Sequence, residues 1–431
     1  MSATRLEERY LFKSARLQEF QERLGSISDR VIHPTDINET VYFDNADHEL
    51  PFEHSMKARH YTALRAASLF TLNPQDMWIM ELKSEIESSE QLLRKKERAE
   101  MPLADLLGRF SSLDAIDATR LSQPLVPFLA DSYYRTHYLV SGNNGFRVTV
   151  DTQPIYYLFT EPLVATQCGK EDYVRVELKI SDPNVGQASI SAVLDALNAV
   201  GAAPAVSKKD MAYNMISAYL RAKHYSPIPE SDTEIEAKLS LNGNQQHVFN
   251  QIKHGFAAGA FPGFRLIETF PFTQVGGKLN SYAILPNNDY QRISIKGEQK
   301  VLTVKDEAEV VDDALGLGCI LRRREIKSPV DPAQEGKAPT VTLYRKRKYF
   351  LVRSERSGRE YCILIDRCVH GGSKLFQIEV EETLLRPTKE QENQAAAEIA
   401  EITGRILDMH PGLKPTSLTK REWLMGVAAT A

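Results

Sequence analysis

The pattern that most limits what this chain can fold into is a set of short alternating segments carrying charge at i and i+2 with an apolar or small residue between. Lys57 and Arg59 show it, as do Glu81 and Lys83, then Arg175, Glu177 and Lys179. It returns in Glu234, Glu236 and Lys238, in Arg345 and Arg347, and in Glu379 and Glu381. A period of two is that of a strand, whose successive side chains point to opposite faces, so each segment offers one ionic face and one apolar face. For a single strand this describes a solvated outer surface with weak ion pairs. The set constrains more, because closing such an antiparallel sheet puts all of these charges outside or all of them inside. Inside, they line a water-filled ionic tunnel.

Further alternating segments at 40–45, 77–83, 134–140, 145–151, 292–296, 341–352 and 361–366 spread the pattern over both halves. Helical periodicity is confined to 14–24, 193–200, 207–223 and 389–408, at the edges of strand groups or between them. The class is therefore α+β with antiparallel sheet. At 431 residues and 42% hydrophobic, the chain has material for two or three domains. A boundary is expected at 225–232 (YSPIPESD), where two prolines separate a helical pattern from a fresh strand pattern. Residues 328–339 read as a loop inside the second half, and His370-Gly371-Gly372 as a β-turn. Trp78 and Trp423 read as packing aromatics.

A net charge of −4 lacks the basic excess of a nucleic-acid-coating protein, so nucleic acid is not an expected partner and any polyanion must meet a local cluster. One such cluster is 321–367, with 13 basic and 6 acidic residues. No apolar run reaches the ~18 residues of a membrane span, and the charged N-terminus has no apolar segment behind it. A cytoplasmic location is the expectation. Cys168, Cys319, Cys362 and Cys368 read as free thiols, and no glycine-rich phosphate loop is present.

Arg and Lys facing inward suit a chain of phosphates, since each oxyanion accepts charge-assisted hydrogen bonds. Glutamates beside them would repel phosphate unless a hard divalent cation lay between. Glu-x-Glu next to Arg-x-Arg is thus the chemistry of a metal-triphosphate site.

Glu234-Ile-Glu236-Ala-Lys238 resembles the ExExK opening strand of triphosphate tunnel metalloenzymes, and residues 375–381 (LFQIEVE) resemble their closing strand. Residues 232–410 are thus similar to a CYTH domain, with 411–431 as a C-terminal tail. Residues 1–225 resemble the VTC polyphosphate polymerase domain. The matching segments are Glu7-Glu8-Arg9-Tyr10, TVYFDN at 40–45, MKARHY at 56–61, Glu81-Leu82-Lys83 and RKKER at 94–98. Tyr134-Arg135, FRVTVDT at 146–152, Val176-Glu177-Leu178-Lys179 and Ser207-Lys208-Lys209 complete the order. Lys57 stands where that family prefers Arg, and Arg9 where it prefers Lys.

The resemblance implies two tandem closed antiparallel β-barrels, the triphosphate tunnel fold, with flanking helices. It implies catalytic roles for Arg9, Lys57, Arg59, Lys83, Arg135, Arg147 and Lys179. Lys208, Lys209, Lys238, Arg292, Lys305, Arg322, Arg324, Arg345 and Arg347 would bind substrate. Mg²⁺ or Mn²⁺ would sit on Glu7, Glu81 or Glu177 in the first half and on Glu234, Glu236, Glu379 or Glu381 in the second, with Asp366 on the neighbouring strand. ATP, triphosphate or polyphosphate would be the small-molecule partners, and a membrane protein that exports product is compatible with the sequence. The leading expectation is polyphosphate synthesis from ATP. A triphosphatase, a nucleotidyl cyclase and a non-catalytic sensor of polyphosphate or nucleotide are the alternatives.

Overall fold

The structure, a computed structural model, describes residues 6–45, 50, 54–62, 68–86, 93–111, 125–142, 145–181, 185–224, 233–240, 245–267, 274–283, 291–296, 299–311, 313, 315–329, 340–382 and 389–430. It divides into two compact units, Met1–Asn45 with Glu53–Tyr219, and Leu220–Ala431 with Ala46–Phe52. The expected boundary at 225–232 and most of the expected loop, 330–339, lie outside the described residues.

The first unit contains β1 (Leu6–Lys13), α1 (Leu17–Gly25), β2 (Ser28–Asp44), β3 (His54–Thr62), β4 (Leu69–Thr71), β5 (Met77–Ile86), β6 (Leu93–Pro102) and α2 (Leu103–Ser111). It continues with β7 (Val126–Val140), β8 (Phe146–Glu161), β9 (Val164–Lys170), β10 (Tyr173–Ile180), α3 (Gln187–Ala199), β11 (Ala203–Pro204) and α4 (Lys208–His224). Its antiparallel sheet runs β11-β1-β10-β8-β7-β2-β3-β5-β6, with β9 on β8 and β4 on β9.

The second contains β12 (Thr233–Ser240), α5 (Gln245–Ala257), β13 (Phe264–Leu266), β14 (Gln274–Ala283), β15 (Gln291–Lys296), β16 (Gln299–Lys305), β17 (Glu309–Val310) and β18 (Ile320–Pro329). After these come β19 (Thr340–Ser354), β20 (Glu360–His370), β21 (Ser373–Glu382), α6 (Lys389–Met409), β22 (Lys414–Pro415) and α7 (Lys420–Thr430). The order is β17-β18-β16-β15-β14-β19-β20-β21-β12-β22, and β18 pairs again with β12, which links the two ends of an eight-strand path.

The class is α+β and mostly sheet, but the expected pair of closed barrels needs correction. Neither sheet is a closed barrel among the described strands: the first ends at β6 with no pairing to β1, and the second runs on past the β12–β18 contact to β17 and β22. The supposed C-terminal tail is also ordered: β22 pairs with β12, and α7 follows. The basic run at 94–98 falls on strand β6. No described helix is long and apolar enough to cross a membrane.

The two-residue alternation decides where the core lies. In β10, Val174, Val176 and Leu178 pack with Phe20 and Leu24 of α1 and Val193 and Leu197 of α3. In β12, Ile235, Ala237 and Leu239 share a cluster with Phe249 and Ile252 of α5 and Ile399 and Ile402 of α6. Each apolar strand face thus meets helices spaced at i, i+3 and i+4, which leaves the ionic face for the opposite side. Trp78 is buried and Trp423 packs on a small apolar cluster, while all four cysteines are free thiols. His370 pairs with Ser373 across the two-residue turn Gly371-Gly372, and Gly371 takes a φ of 57°, which glycine reaches without a Cβ penalty.

Ile363, fully buried in the second core, tests this layout. Ile363→Ala should cost about 2–5 kcal/mol in urea denaturation of the full chain; an unchanged midpoint would contradict its burial against the helices.

Candidate functional site

In the second unit the ionic strand faces line an open cavity of about 150 Å³. Glu234, Glu236 and Lys238 reach it from β12, Arg292 from β15, Lys305 from β16, Arg345 and Arg347 from β19, and Glu379 and Glu381 from β21. The alternating charge pattern had singled out those of β12, β19 and β21, and the family resemblance implied Arg292 and Lys305.

Their contacts are ionic throughout. Lys305 Nζ and Arg323 Nε both donate to Glu234 Oε2, at 2.6 and 2.7 Å, while Glu236 receives Lys238 and Arg323. Arg347 forks onto Asp366 through Nε at 2.8 Å and Nη2 at 2.7 Å, and also reaches Glu379 and Glu381 at 3.2 and 3.3 Å. Lys420, at the start of α7, bridges Glu379 at 2.5 Å and Asp366 at 2.9 Å.

One carboxylate oxygen from each of Glu234, Glu236 and Glu381 lies within 4.8 Å of the others, the one such cluster among the described residues. Glu379, expected with them, is instead occupied by Lys420. Burial lifts Glu381 to about 7, with Glu379, Glu234 and Glu236 adding to it against the pull of Arg347. Three converging hard oxygen donors, with one carboxyl held against ionisation by burial and by its acidic neighbours, fit a hard divalent cation.

Two expected ligands lie elsewhere. Arg322 pairs with Glu309 and Glu392, and Arg324 is exposed. It is Arg323 that faces the cavity, together with Glu325 and Lys327. The run Arg322-Arg323-Arg324 permits either register, and the alternation Arg323-x-Glu325-x-Lys327 was the signal that decides it. Thr419 and Lys420 were also missed; the box Thr419-x-x-Glu422, a helix-start signature, marked them.

The first unit draws its charged residues into a second cluster. Arg135 forks onto Asp151 at 2.6 Å through both Nε and Nη2. Glu177 receives Lys179 at 2.7 Å, Lys208 at 2.9 Å, Arg135 at 3.6 Å and Arg9 at 4.0 Å. Lys57 and Arg59 lie 3.3 and 3.6 Å from Glu81, which Arg98 also reaches at 2.9 Å. Glu7 pairs with Arg9 at 3.2 Å, and Lys83 and Lys179 help hold its carboxyl down at about 2 despite burial. Burial, with Arg135, Arg147 and Lys179 near, lowers His137 to about 4. Lys208 enters the cluster, whereas Lys209 lies 5.7 Å over the Tyr213 ring.

Residues 4–213, just under half of the chain, match the family model described as VTC domain. No curated protein matches the chain. Among solved structures, a putative adenylate cyclase from Bacillus halodurans is 13% identical, with a TM-score of 0.32, covering 48% of this chain and 96% of its own. The RNA triphosphatase domain of a mimivirus mRNA capping enzyme is 12% identical, with a TM-score of 0.27, covering 47% of this chain and all of its own. An S. pombe RNA triphosphatase is 13% identical, with a TM-score of 0.24, covering 50% and 96%. At such scores these likenesses carry no argument about chemistry.

The Arg135–Asp151–Lys208 contacts set an acid dependence. Burial alone would raise the Asp151 carboxyl, but Arg135 and Lys208 outweigh it and hold the group at about 2 against its ordinary 3.8. A depressed carboxyl contributes stability that is full above its unfolded value and is lost as pH falls through the folded one, here about 2 kcal/mol in all. Thermal melts between about pH 5 and 2 should therefore show a steep acid limb that Asp151→Asn flattens; an equally steep limb in the variant would show that other groups set it.

Proposed function

We propose that the chain is a metal-dependent enzyme acting on phosphoanhydrides, and that its most specific activity is polyphosphate synthesis from ATP. The observation that carries this reading is the second unit's cavity, which Glu234, Glu236 and Glu381 line together with Arg345 and Arg347. The match of residues 4–213 to the VTC domain model supports the polymerase form. We read the β12–β18 pairing as the seam of a tunnel whose ionic interior is the binding surface.

Mg²⁺ or Mn²⁺ held by Glu234, Glu236 and Glu381 would neutralise charge on the terminal phosphates. The rest of the work falls to the chain's own side chains. Arg345, Arg347, Arg292 and Lys305 place N–H donors around the cavity, where they grip phosphate oxygens and hold the transferring phosphoryl group in line. In a polymerase the acceptor is the terminal phosphate of the growing chain. With water as acceptor the same site is a triphosphatase; with the nucleotide's ribose hydroxyl attacking the α-phosphorus and pyrophosphate leaving, it is a cyclase. That second reading is favoured by one observation: the carboxylate trio lies outside residues 4–213.

Incubating the full chain with ATP and Mn²⁺ and resolving the products separates the readings. Long-chain polyphosphate with ADP is expected; free phosphate or cyclic nucleotide selects the second reading, and no turnover leaves a binding module. Glu236→Gln or Glu381→Gln should lower turnover by on the order of 10–100-fold or more, and an active double variant would remove the trio from the mechanism.

A further inference from the structure

The two units hold the same constellation twice, differing where the metal carboxylates would be. In the first, β1 lies on β10 so that Arg9 is opposite Glu177 and Glu7 opposite Lys179. In the second, β12 lies on β21 so that Lys238 is opposite Glu379 and Glu236 opposite Glu381. The short flanking strands keep the same register, Tyr10 with Pro204 and Leu239 with Pro415. The Ala205 N–H donates to the Arg9 carbonyl at 2.9 Å, as the Thr416 N–H does to that of Lys238 at 3.0 Å.

The side chains repeat as well. Arg135 forks onto Asp151 as Arg347 forks onto Asp366. A lysine opening a helix then joins that aspartate to the strand glutamate: Lys208 to Asp151 and Glu177, Lys420 to Asp366 and Glu379. Even the helix starts agree, Asp210 N–H donating to Ser207 Oγ and Glu422 N–H to Thr419 Oγ1.

This register fixes what stands in place of two of the trio. Glu236 corresponds to Glu7, but Glu381 corresponds to Lys179. Of these two carboxylates one survives. The Lys179 Nζ lies 2.7 Å from Glu177, so an amine stands where the second unit has a carboxylate. The Tyr133 hydroxyl, on a side chain 1% exposed, has no hydrogen-bond partner among the described residues. Its ring lies against Lys208 at 4.7 Å and Arg135 at 5.1 Å. A buried O–H donor among cations is complementary to an oxyanion.

Resting on the proposed reading that the protein handles phosphate chains, we propose a division of labour. The first unit binds the phosphates of a linear polyphosphate directly on Lys, Arg and Tyr133, without a divalent ion, and the second unit alone takes the metal.

Isothermal titration of the full chain tests this with Mn²⁺ alone and with inorganic triphosphate in excess EDTA. The expected results are one Mn²⁺ per chain, lost in Glu236→Gln/Glu381→Gln and kept in Glu7→Gln/Glu177→Gln. Triphosphate should bind in EDTA, about tenfold more weakly in Tyr133→Phe and not measurably in Lys179→Glu. Two Mn²⁺ per chain, or triphosphate binding only when metal is present, overturns the division; both are read on the unaltered protein and need no variant to fold. The two readings fail separately. Metal-only triphosphate binding with ATP turnover intact removes this inference and leaves the enzyme, whereas EDTA-resistant binding without turnover removes the enzyme and leaves this site.

Discussion

Each unit depends on a guanidinium, buried in Arg135 and partly buried in Arg347, gripping a buried carboxylate through two parallel hydrogen bonds. Arg135 with Asp151 and Arg347 with Asp366 join adjacent strands on the ionic face, where either partner alone would be an uncompensated charge inside the protein. The fork fixes orientation as well as charge, because both carboxylate oxygens are engaged and the lysine from the following helix takes one of them. Around this fixed pair the remaining cations are arranged by strand alternation. Lys57 shows the electrostatic cost: burial, then Arg59 and Lys83, push its ammonium well below the ordinary lysine range in spite of Glu81.

Much of this was legible in the sequence because one rule governs it. Alternation named the inward residues of β3, β5, β10, β12, β19 and β21, and the helices expected at 14–24, 193–200, 207–223 and 389–408 form at Leu17–Gly25, Gln187–Ala199, Lys208–His224 and Lys389–Met409. The rule failed where it was degenerate. Three arginines in a row gave β18 two possible faces, and the choice fell on Arg322 and Arg324 when Arg323 is the inward one. Lys420 escaped because its partners, Asp366 and Glu379, lie 54 and 41 residues earlier in the chain, and nothing local to α7 announces a long-range contact. Pairing between distant strands, as of β12 with β18, is likewise not encoded in periodicity.

The core and the candidate site occupy opposite faces of the same strands. In β21 Ile378 and Val380 belong to the core while Glu379 and Glu381 face the cavity. The inward residue can therefore change from carboxylate to ammonium, as between Glu381 and Lys179, without any apolar side chain being repacked. Stability resides on one surface of each strand and chemistry on the other, so one backbone can carry different ions.

The Gly371-Gly372 turn has a consequence for how such a chain tolerates insertions. It pins β20 to β21 with His370 opposite Ser373, and every later residue of β21 inherits its face from that pairing. One extra residue accommodated within the strand would exchange the two faces, bringing Glu379 and Glu381 toward α6 and Ile378 and Val380 toward the ions, whereas two extra residues would restore the alternation. Lengths in this family of hairpins are thus constrained by parity, and an even change in length is the smaller disturbance even though it adds more atoms.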